Sequence, residues 1–334
     1  MANKNINKRN TVKTPAINPA PSAQEASYEQ IKYEHKLYFN IVKKRYIWFA
    51  LSLLVLIPGI ISLFIQGLNL GIDFKGGSMY DIKFNQAVTQ EQVTKALDSV
   101  GIPGQVQLSN GNTEVIIRTS ALDEDKRNSL IAALKEDVGT FDTAANFKED
   151  TVGPSIGAEL RSRAIKALIL ATVLILLYVS IRFRFAYAAS AVIALLHDVF
   201  VTLGIFSIFQ WQVDATFIAA VLTVFGYSIN DTVVIYDRIR ENEKRLKRKD
   251  SFDDMVDKSV WQTMGRSVKT VCTVLIALFA IYLLGGESTR VFALAMMIGV
   301  FSGAYSSIFV ASQVVVEVKK RFGGDNRKKS PVEA

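Results

Sequence analysis

The sequence predicts an α-helical polytopic membrane protein of six transmembrane helices, with a small α+β domain on the extracytoplasmic side between the first and second spans. Three observations predict this. Half of the 334 residues are hydrophobic, and the mean hydropathy of +0.23 is too apolar for a soluble chain of this length. The apolar residues gather into runs of about 20, the length that crosses a hydrocarbon core of ~30 Å. Lys and Arg cluster in alternate connections, as positive-inside sorting requires.

Residues 1–42 are rich in Asn, Ala, Pro, Ser and Lys and read as a disordered cytoplasmic tail. Within it, 28–42 offers an amphipathic surface helix with Tyr28, Ile31, Tyr33, Tyr38 and Phe39 on one face, and His35 belongs to this solvated stretch. A cleaved signal peptide is not expected, because the first apolar run begins only near Tyr46. Lys43, Lys44 and Arg45 hold the N-terminus of the first span, 43–66, in the cytoplasm.

Residues 67–160 form the extracytoplasmic domain. Gly71 to Gly77 make a turn in which Asp73 and Lys75 can pair. A strand over 78–84 follows, then a helix over 89–100 capped by Thr89. A hairpin spans 105–108 and 113–118 around Asn110-Gly111-Asn112. Ser120 caps a second helix over 123–138, and a last strand lies near 145–150. The order β-α-β-β-α-β is that of a ferredoxin-like sandwich.

Residues 161–318 hold spans two to six. Span two (164–181) ends at a basic turn with Arg182 and Arg184, and span three covers 185–209. A short loop anchored by Trp211 leads to span four, 215–236. The basic loop 238–250 precedes a surface helix over 252–262 and span five, 267–284. Span six covers 291–318, where Gly299, Ser302, Gly303, Ala304, Ser306 and Ser307 allow close helix approach. Residues 319–334 are a basic cytoplasmic tail. Basic clusters fall in every cytoplasmic connection, which explains the net charge of +8 without a nucleic-acid partner.

Chemistry is bounded by what is missing. Cys272 is the only cysteine, so an intramolecular disulfide or a cysteine-built metal site is excluded. No HExxH, CxxC or GxxxxGK[ST] motif occurs. The sequence predicts a protein that is not an enzyme and needs neither cofactor nor metal.

Ionisable groups do lie within the spans: His197 and Asp198 at the middle of the third, Asp231 on the fourth, and Arg266 with Lys269 at the start of the fifth. An acid at a helix centre costs roughly 2.5–3.5 kcal/mol on insertion scales, so it signals function by default. Asp231 and Arg266 share a similar depth, and Ser228, Asn230 and Thr232 offer polar surroundings, with Gly226 nearby permitting close packing. Such a pair suits a proton relay with a fixed guanidinium counter-ion. Two blander readings stand beside it: Asp231 as a hydrated helix end, and Arg266 as a positive-inside anchor. His197 and Asp198 read either as a structural polar pair between helices or as a proton-transfer pair.

The stretches GLNLGIDFKGG (67–77), VGPSIGAELRSRA (152–164), IALLHDVFVTLGIFSIF (193–209), DATFIAAVLTVFGYSINDTVVIYDRIREN (214–242) and SGAYSSIFVAS (302–312) resemble the SecD/SecF protein-export membrane proteins, on the SecF side of that family, within the RND superfamily. The resemblance covers about residues 40–320. It implies a proton-motive-force-coupled accessory subunit of the Sec translocase, partnered by a SecD-like six-span chain, the SecYEG channel, SecA and the preprotein. It also implies a bacterial cell membrane location with both termini cytoplasmic, and membrane lipid around the spans. By the same resemblance Asp231 is a proton-pathway acid and Arg266 joins the relay, although Trp261 and Gly265 depart from the family pattern around that Arg. Two other functions remain open at this stage: half of an RND-type proton-driven exporter, and a structural scaffold of a membrane complex.

Overall fold

The computed structural model describes residues 38–183, 185–246 and 251–322. Contacts divide the chain into Met1–Phe39 and Asn40–Ala334, and the membrane helices and the α/β domain both belong to the second unit. Most of the expected tail helix over 28–42, Arg184, the middle of the basic loop and most of the basic C-terminal tail lie outside the described residues. Residues 41–44 form a turn.

Among the described residues, six helices are long and apolar enough to cross a membrane. They are α1 (Arg45–Ile65), α5 (Pro154–Arg182), α6 (Phe185–Phe209), α7 (Ala215–Lys244), α8 (Phe252–Leu284) and a sixth span made of consecutive pieces. The pieces are α9 (Glu287–Ser306), a π-helical segment (Ser307–Ala311) and α10 (Ser312–Phe322). Three boundaries differ from expectation. The helix of the second span begins at Pro154, ten residues before 164. The fourth span runs on as helix to Lys244, because residues 237–244 are good helix formers and Arg238 bonds Glu241 one turn on, at 2.7 Å. The expected surface helix 252–262 and the fifth span are one helix, α8. Only Gly265 interrupts the helix-forming run, and a lone Gly costs about 1 kcal/mol, too little to break a helix fixed by packing.

Helices α6, α7 and α9 form the centre. Glycines set how closely they approach. A Cβ on Gly299 would lie 2.3 Å from Val224 Cγ2, and one on Gly303 would lie 3.0 Å from Ser228 Cβ, so the small-residue stripe of α9 lets α7 nest against it. Gly59 of α1 and Gly204 of α6 meet in the same way, a Cβ on Gly59 falling 2.9 Å from Gly204 Cα, and the Ser62 and Ser207 hydroxyls join 2.7 Å apart beside them. Gly226, in contrast, faces open space. Helices α1, α5 and α8 carry most of the exposed apolar surface, with Leu54, Phe64, Ile169, Leu177, Ile276 and Phe279 among its members, and α6 adds Phe185 and Phe209 at its ends.

The inserted domain begins with β1 (Asn69–Leu70), a short helix α2 (Ile72–Lys75) and β2 (Gly77–Lys83). It continues with α3 (Gln90–Ser99), β3 (Gly104–Ser109), β4 (Glu114–Thr119), α4 (Glu124–Asp137) and β5 (Phe147–Val152). The main sheet has the order β3-β4-β2-β5, with every neighbouring pair antiparallel. The β-α-β-β-α-β succession of the sequence is thus present. Alternation along β2 and β4 sends Tyr80, Ile82, Val115 and Ile117 into a core with Val93, Leu97, Leu130 and Leu134 of the helices. Burying each aliphatic side chain contributes about 1.5–3 kcal/mol. Thr89 caps α3 as expected, and it forms a capping box with Gln92. The second helix is capped by Asp123, whose Oδ1 accepts the Lys126 N–H at 2.8 Å, and not by Ser120. Leu122 packs against the core and holds the preceding residues out of the helix. Gly111 and Asn112 turn the hairpin at φ +67° and +66°.

The domain joins the bundle through glycines. Gly76 has φ +77° and ψ 159°, a combination open essentially to Gly alone. A Cβ there would lie 2.8 Å from Pro154 Cα, and a Cβ on Gly157 would lie 2.9 Å from Gly76 N, so the start of β2 rests on the start of α5. Asp73 does not pair with Lys75, which is exposed. Its Oδ2 accepts the Ala215 N–H at 2.8 Å, and Asp214 Oδ1 accepts that of Phe217 at 2.9 Å. Both carboxylates therefore cap α7, where orphan N–H groups and the helix dipole favour negative charge. β1 pairs in parallel with β6 (Gln212–Val213), which ties the same two regions by backbone.

At the opposite end of the bundle, basic side chains are paired across helices. Arg45 bonds Glu317 and Lys320 bonds Asp253, while Lys319 bonds Glu243 and Arg182 bonds Asp237. The buried Asp257 accepts the N–H groups of Ile41 and Val42 at 2.7 and 3.3 Å, fixing the turn that enters α1.

Candidate functional site

Two carboxyl groups organise the polar interior, one on each side of α7. Asp198, near the centre of α6, is fully buried. Its Oδ2 accepts the hydroxyls of Ser228 (2.6 Å, α7) and Ser306 (2.7 Å, α9), and its Oδ1 accepts that of Ser302 (2.7 Å, α9). His197 Nδ1 lies 3.0 Å from Oδ1. Removing a carboxylate from water costs several kcal/mol. Hydrogen bonds to a charged group are worth about 1.5–3 kcal/mol each, so the three serine hydroxyls offset that cost. The His197 ring stacks on Tyr305, centroids 5.9 Å apart. The Tyr305 hydroxyl donates to Trp48 O at 2.8 Å and accepts from Ser52 Oγ at 3.3 Å, which brings α1 into the network. Next to the cage, Thr232 Oγ1 and Ser307 Oγ join at 2.7 Å where the π-helical segment begins.

Asp231 faces the other way, toward α8. Its Oδ1 accepts the Ser267 hydroxyl at 2.7 Å, while Oδ2 is buried with no hydrogen-bond partner among the described residues. The bond is one rung of an antiparallel side-chain ladder between α7 and α8. Tyr227 donates to the Thr270 carbonyl at 3.3 Å, Arg238 bonds Gln262 at 2.7 Å, and Asn242 bonds Ser259 at 2.8 Å.

The sequence-predicted residues divide accordingly. Asp231 and Arg266 lie in the same region, since Arg266 directly precedes Ser267, whose hydroxyl bonds Asp231. They form no ion pair, since Arg266 is on the exposed side of α8 and its neighbour Ser267 takes the inward position. Ser228 and Thr232 do not surround Asp231. They form the stripe of α7 that faces α6 and α9, and Asn230 is exposed. His197 and Asp198 are together, as expected from adjacent positions on one helix. Sequence reasoning missed Ser267 as the bonding partner of Asp231, and the three serines around Asp198. The signal available was Ser302 and Ser306, which read as packing alone, and Ser228, which read as a polar neighbour of Asp231.

Fold and site define a multi-pass membrane protein whose helix core is built around ionisable groups and whose inserted domain sits on the end of one central span. Comparison with known proteins gives this class its family. The profile described as protein export membrane protein SecD/SecF, C-terminal, matches residues 132–321, and the SecD/SecF GG motif matches residues 61–88. The protein translocase subunit SecF of Sebaldella termitidis is 42% identical over 287 residues, covering 84% of this chain and 92% of that one. The subunit of the same description from Acidaminococcus fermentans is 41% identical, covering 85% and 98%. The chain belongs to the SecD/SecF family of protein-export membrane proteins. Among solved structures, a crystal structure of SecDF from Thermus, described as a translocon-associated membrane protein, superposes with a TM-score of 0.77 at 35% identity. The match covers 86% of this chain but only 39% of that longer one. SecDF in a super-membrane-facing form matches with a TM-score of 0.66 and 34% identity, over 89% of this chain and 41% of that one.

Proposed function

We propose that this accessory subunit of the Sec protein translocase couples the proton-motive force to preprotein export, with Asp231 as its proton-carrying group. The observation that carries the reading is the half-satisfied carboxyl group of Asp231: one oxygen bonded to Ser267, the other buried without a partner among the described residues. A buried polar atom without a partner costs about 1–3 kcal/mol, more when charged. A proton on that oxygen relieves much of the charge penalty, and its loss restores it. The group is therefore poised to change state. Arg266 serves as the fixed positive charge that favours proton release.

The contacts of α7 suggest how a change at Asp231 reaches the inserted domain. Protonation weakens the charge-assisted bond to Ser267 and so alters the seating of α7 on α8. The other end of α7 is held by Asp73, on the short helix that leads through Gly76 into the sheet. We assign the domain to the extracytoplasmic side of a bacterial cell membrane and both termini to the cytoplasm, because basic residues crowd the opposite end of the bundle. The exposed apolar faces of α5 and α8 suit a second six-span chain of the SecD type. The SecYEG channel, SecA and the preprotein complete the assembly.

The test is Asp231→Asn, which keeps size and an oxygen for Ser267 but cannot carry a proton. In membrane vesicles, the increment of preprotein export that a proton gradient adds should vanish, while co-purification of the partner chain is unchanged. Export that still responds fully to the gradient would refute the reading and favour a structural scaffold.

A further inference from the structure

The cage around Asp198 has no part in the relay just described, yet its geometry provides for two protonation states. A hydroxyl can donate and accept, and one hydroxyl here has a second place to point. Ser306 Oγ lies 2.7 Å from Asp198 Oδ2 and 3.2 Å from the Gly303 carbonyl. With the carboxylate charged, Ser306 donates to it. With a proton on Oδ2, the carboxyl group donates to Ser306 Oγ, and the Ser306 hydrogen turns to the Gly303 carbonyl. No heavy atom has to move. Beyond it, Ser307 Oγ is placed likewise, 2.7 Å from Thr232 Oγ1 and 3.4 Å from the Ser228 carbonyl.

Among the described residues, no Lys or Arg bonds the carboxyl group or the hydroxyls around it. On α6, the ionisable neighbour is His197; on α9 it is Tyr305, stacked on that ring. The groups that α7 and α9 turn directly onto the carboxyl group are hydroxyls, and Asp231 looks toward α8. From α1, Ser52 and the Trp48 carbonyl meet Tyr305 and not Asp198. Charge inside the cage is therefore set by protons on His197 and Asp198. Ser306 is followed directly by the π-helical segment Ser307–Ala311, a local widening of a kind often found at functional sites.

We propose that Asp198, with His197 and Ser306, forms a second proton-holding site of this chain, whose occupancy sets the strength of the hydroxyl bonds that join α6 to α7 and α9. The uptake is simple: one proton joins Oδ2, the carboxylate loses its negative charge, and Ser306 changes from donor to acceptor toward it. Ser228 is three residues before Asp231 on α7, so the two carboxyl groups act on one helix from different sides. The functional meaning of the site rests on the relay proposed for Asp231, but its existence does not.

The experiment is pH-difference infrared spectroscopy of the full-length protein in lipid nanodiscs, read at the carboxylic C=O stretch. A band that grows on acidification should be lost in Asp198→Asn and kept in Asp231→Asn. Ser306→Ala, which removes the hydroxyl that receives the proton, should move the midpoint of that band. An acidification spectrum of Asp198→Asn identical to the parent's would overturn the proposal. Should Asp198→Asn fail to fold, an unmoved midpoint in Ser306→Ala overturns it in the same way. Loss of gradient-dependent export in Asp231→Asn, together with no band belonging to Asp198, would uphold the relay and remove only this site.

Discussion

Gly76→Ala tests whether the glycine pair after α2 is the rigid joint between the inserted domain and the bundle. The parent residue has φ +77° and ψ 159°. Holding a non-Gly residue in that region costs about 1–3 kcal/mol. The new Cβ would also fall 2.8 Å from Pro154 Cα and 3.0 Å from Pro154 N, backbone atoms that cannot swing aside as a side-chain end can. Overpacking of this kind adds about 1–3 kcal/mol. The sum is about 2–6 kcal/mol, concentrated where β2 meets α5. Gly101→Ala is the control, because Gly101 has φ +65° with nothing within 4 Å, so it carries strain of about 1–2 kcal/mol without the clash. Limited proteolysis of the purified protein reads the open population when opening is fast relative to cleavage. At about 1.4 kcal/mol per tenfold, cleavage at the domain boundary should rise by about 30-fold to 10⁴-fold in the Gly76 variant. If the Gly76 variant is cleaved no faster than the Gly101 variant, the joint is not where the packing places it.

Two further outcomes follow from the packing. Asp257→Ala leaves the buried N–H groups of Ile41 and Val42 without their acceptor. At about 1–3 kcal/mol each, that loss of about 2–6 kcal/mol should lower the thermal unfolding midpoint, while Asp257→Asn, which keeps an oxygen, should lower it less. Asp81, on the face of the sheet away from α3 and α4, has its pKa raised by burial and then by the nearby Glu114 carboxylate. A carboxyl pKa raised in the folded state contributes stability that is present below the unfolded value and lost as pH rises through the folded one. The domain should therefore be more resistant to unfolding on the acid side of that transition. Asp81→Asn should flatten this dependence and raise resistance at neutral pH, and an unchanged slope would assign the dependence to other groups.

Patterns that depend on neighbours in sequence were legible. Six apolar stretches, the β-α-β-β-α-β order, the Thr89 N-cap and the adjacency of His197 and Asp198 each rest on local stretches of chain, where periodicity and capping chemistry act. The acid of span four was also visible, because a carboxylate in an apolar run has no local explanation. The sequence placed that acid beside Arg266, but side-chain direction on α8 decides the contact. Rotation by 100° per residue turns Ser267 inward and leaves Arg266 on the exposed side. The same rotation assigned Ser228 to Asp198 rather than to Asp231. The role of Asp73 could not be read either, since Lys75 is its near neighbour in sequence while its true partner, the Ala215 N–H, is 142 residues away. Composition and period thus determined which segments cross the membrane and which residues were costly to place there. Only the close approach of α6, α7 and α9, permitted by Gly299 and Gly303, decided which hydroxyls meet which carboxyl group, because a hydrogen bond needs donor and acceptor within about 3 Å and no one-dimensional pattern specifies that distance.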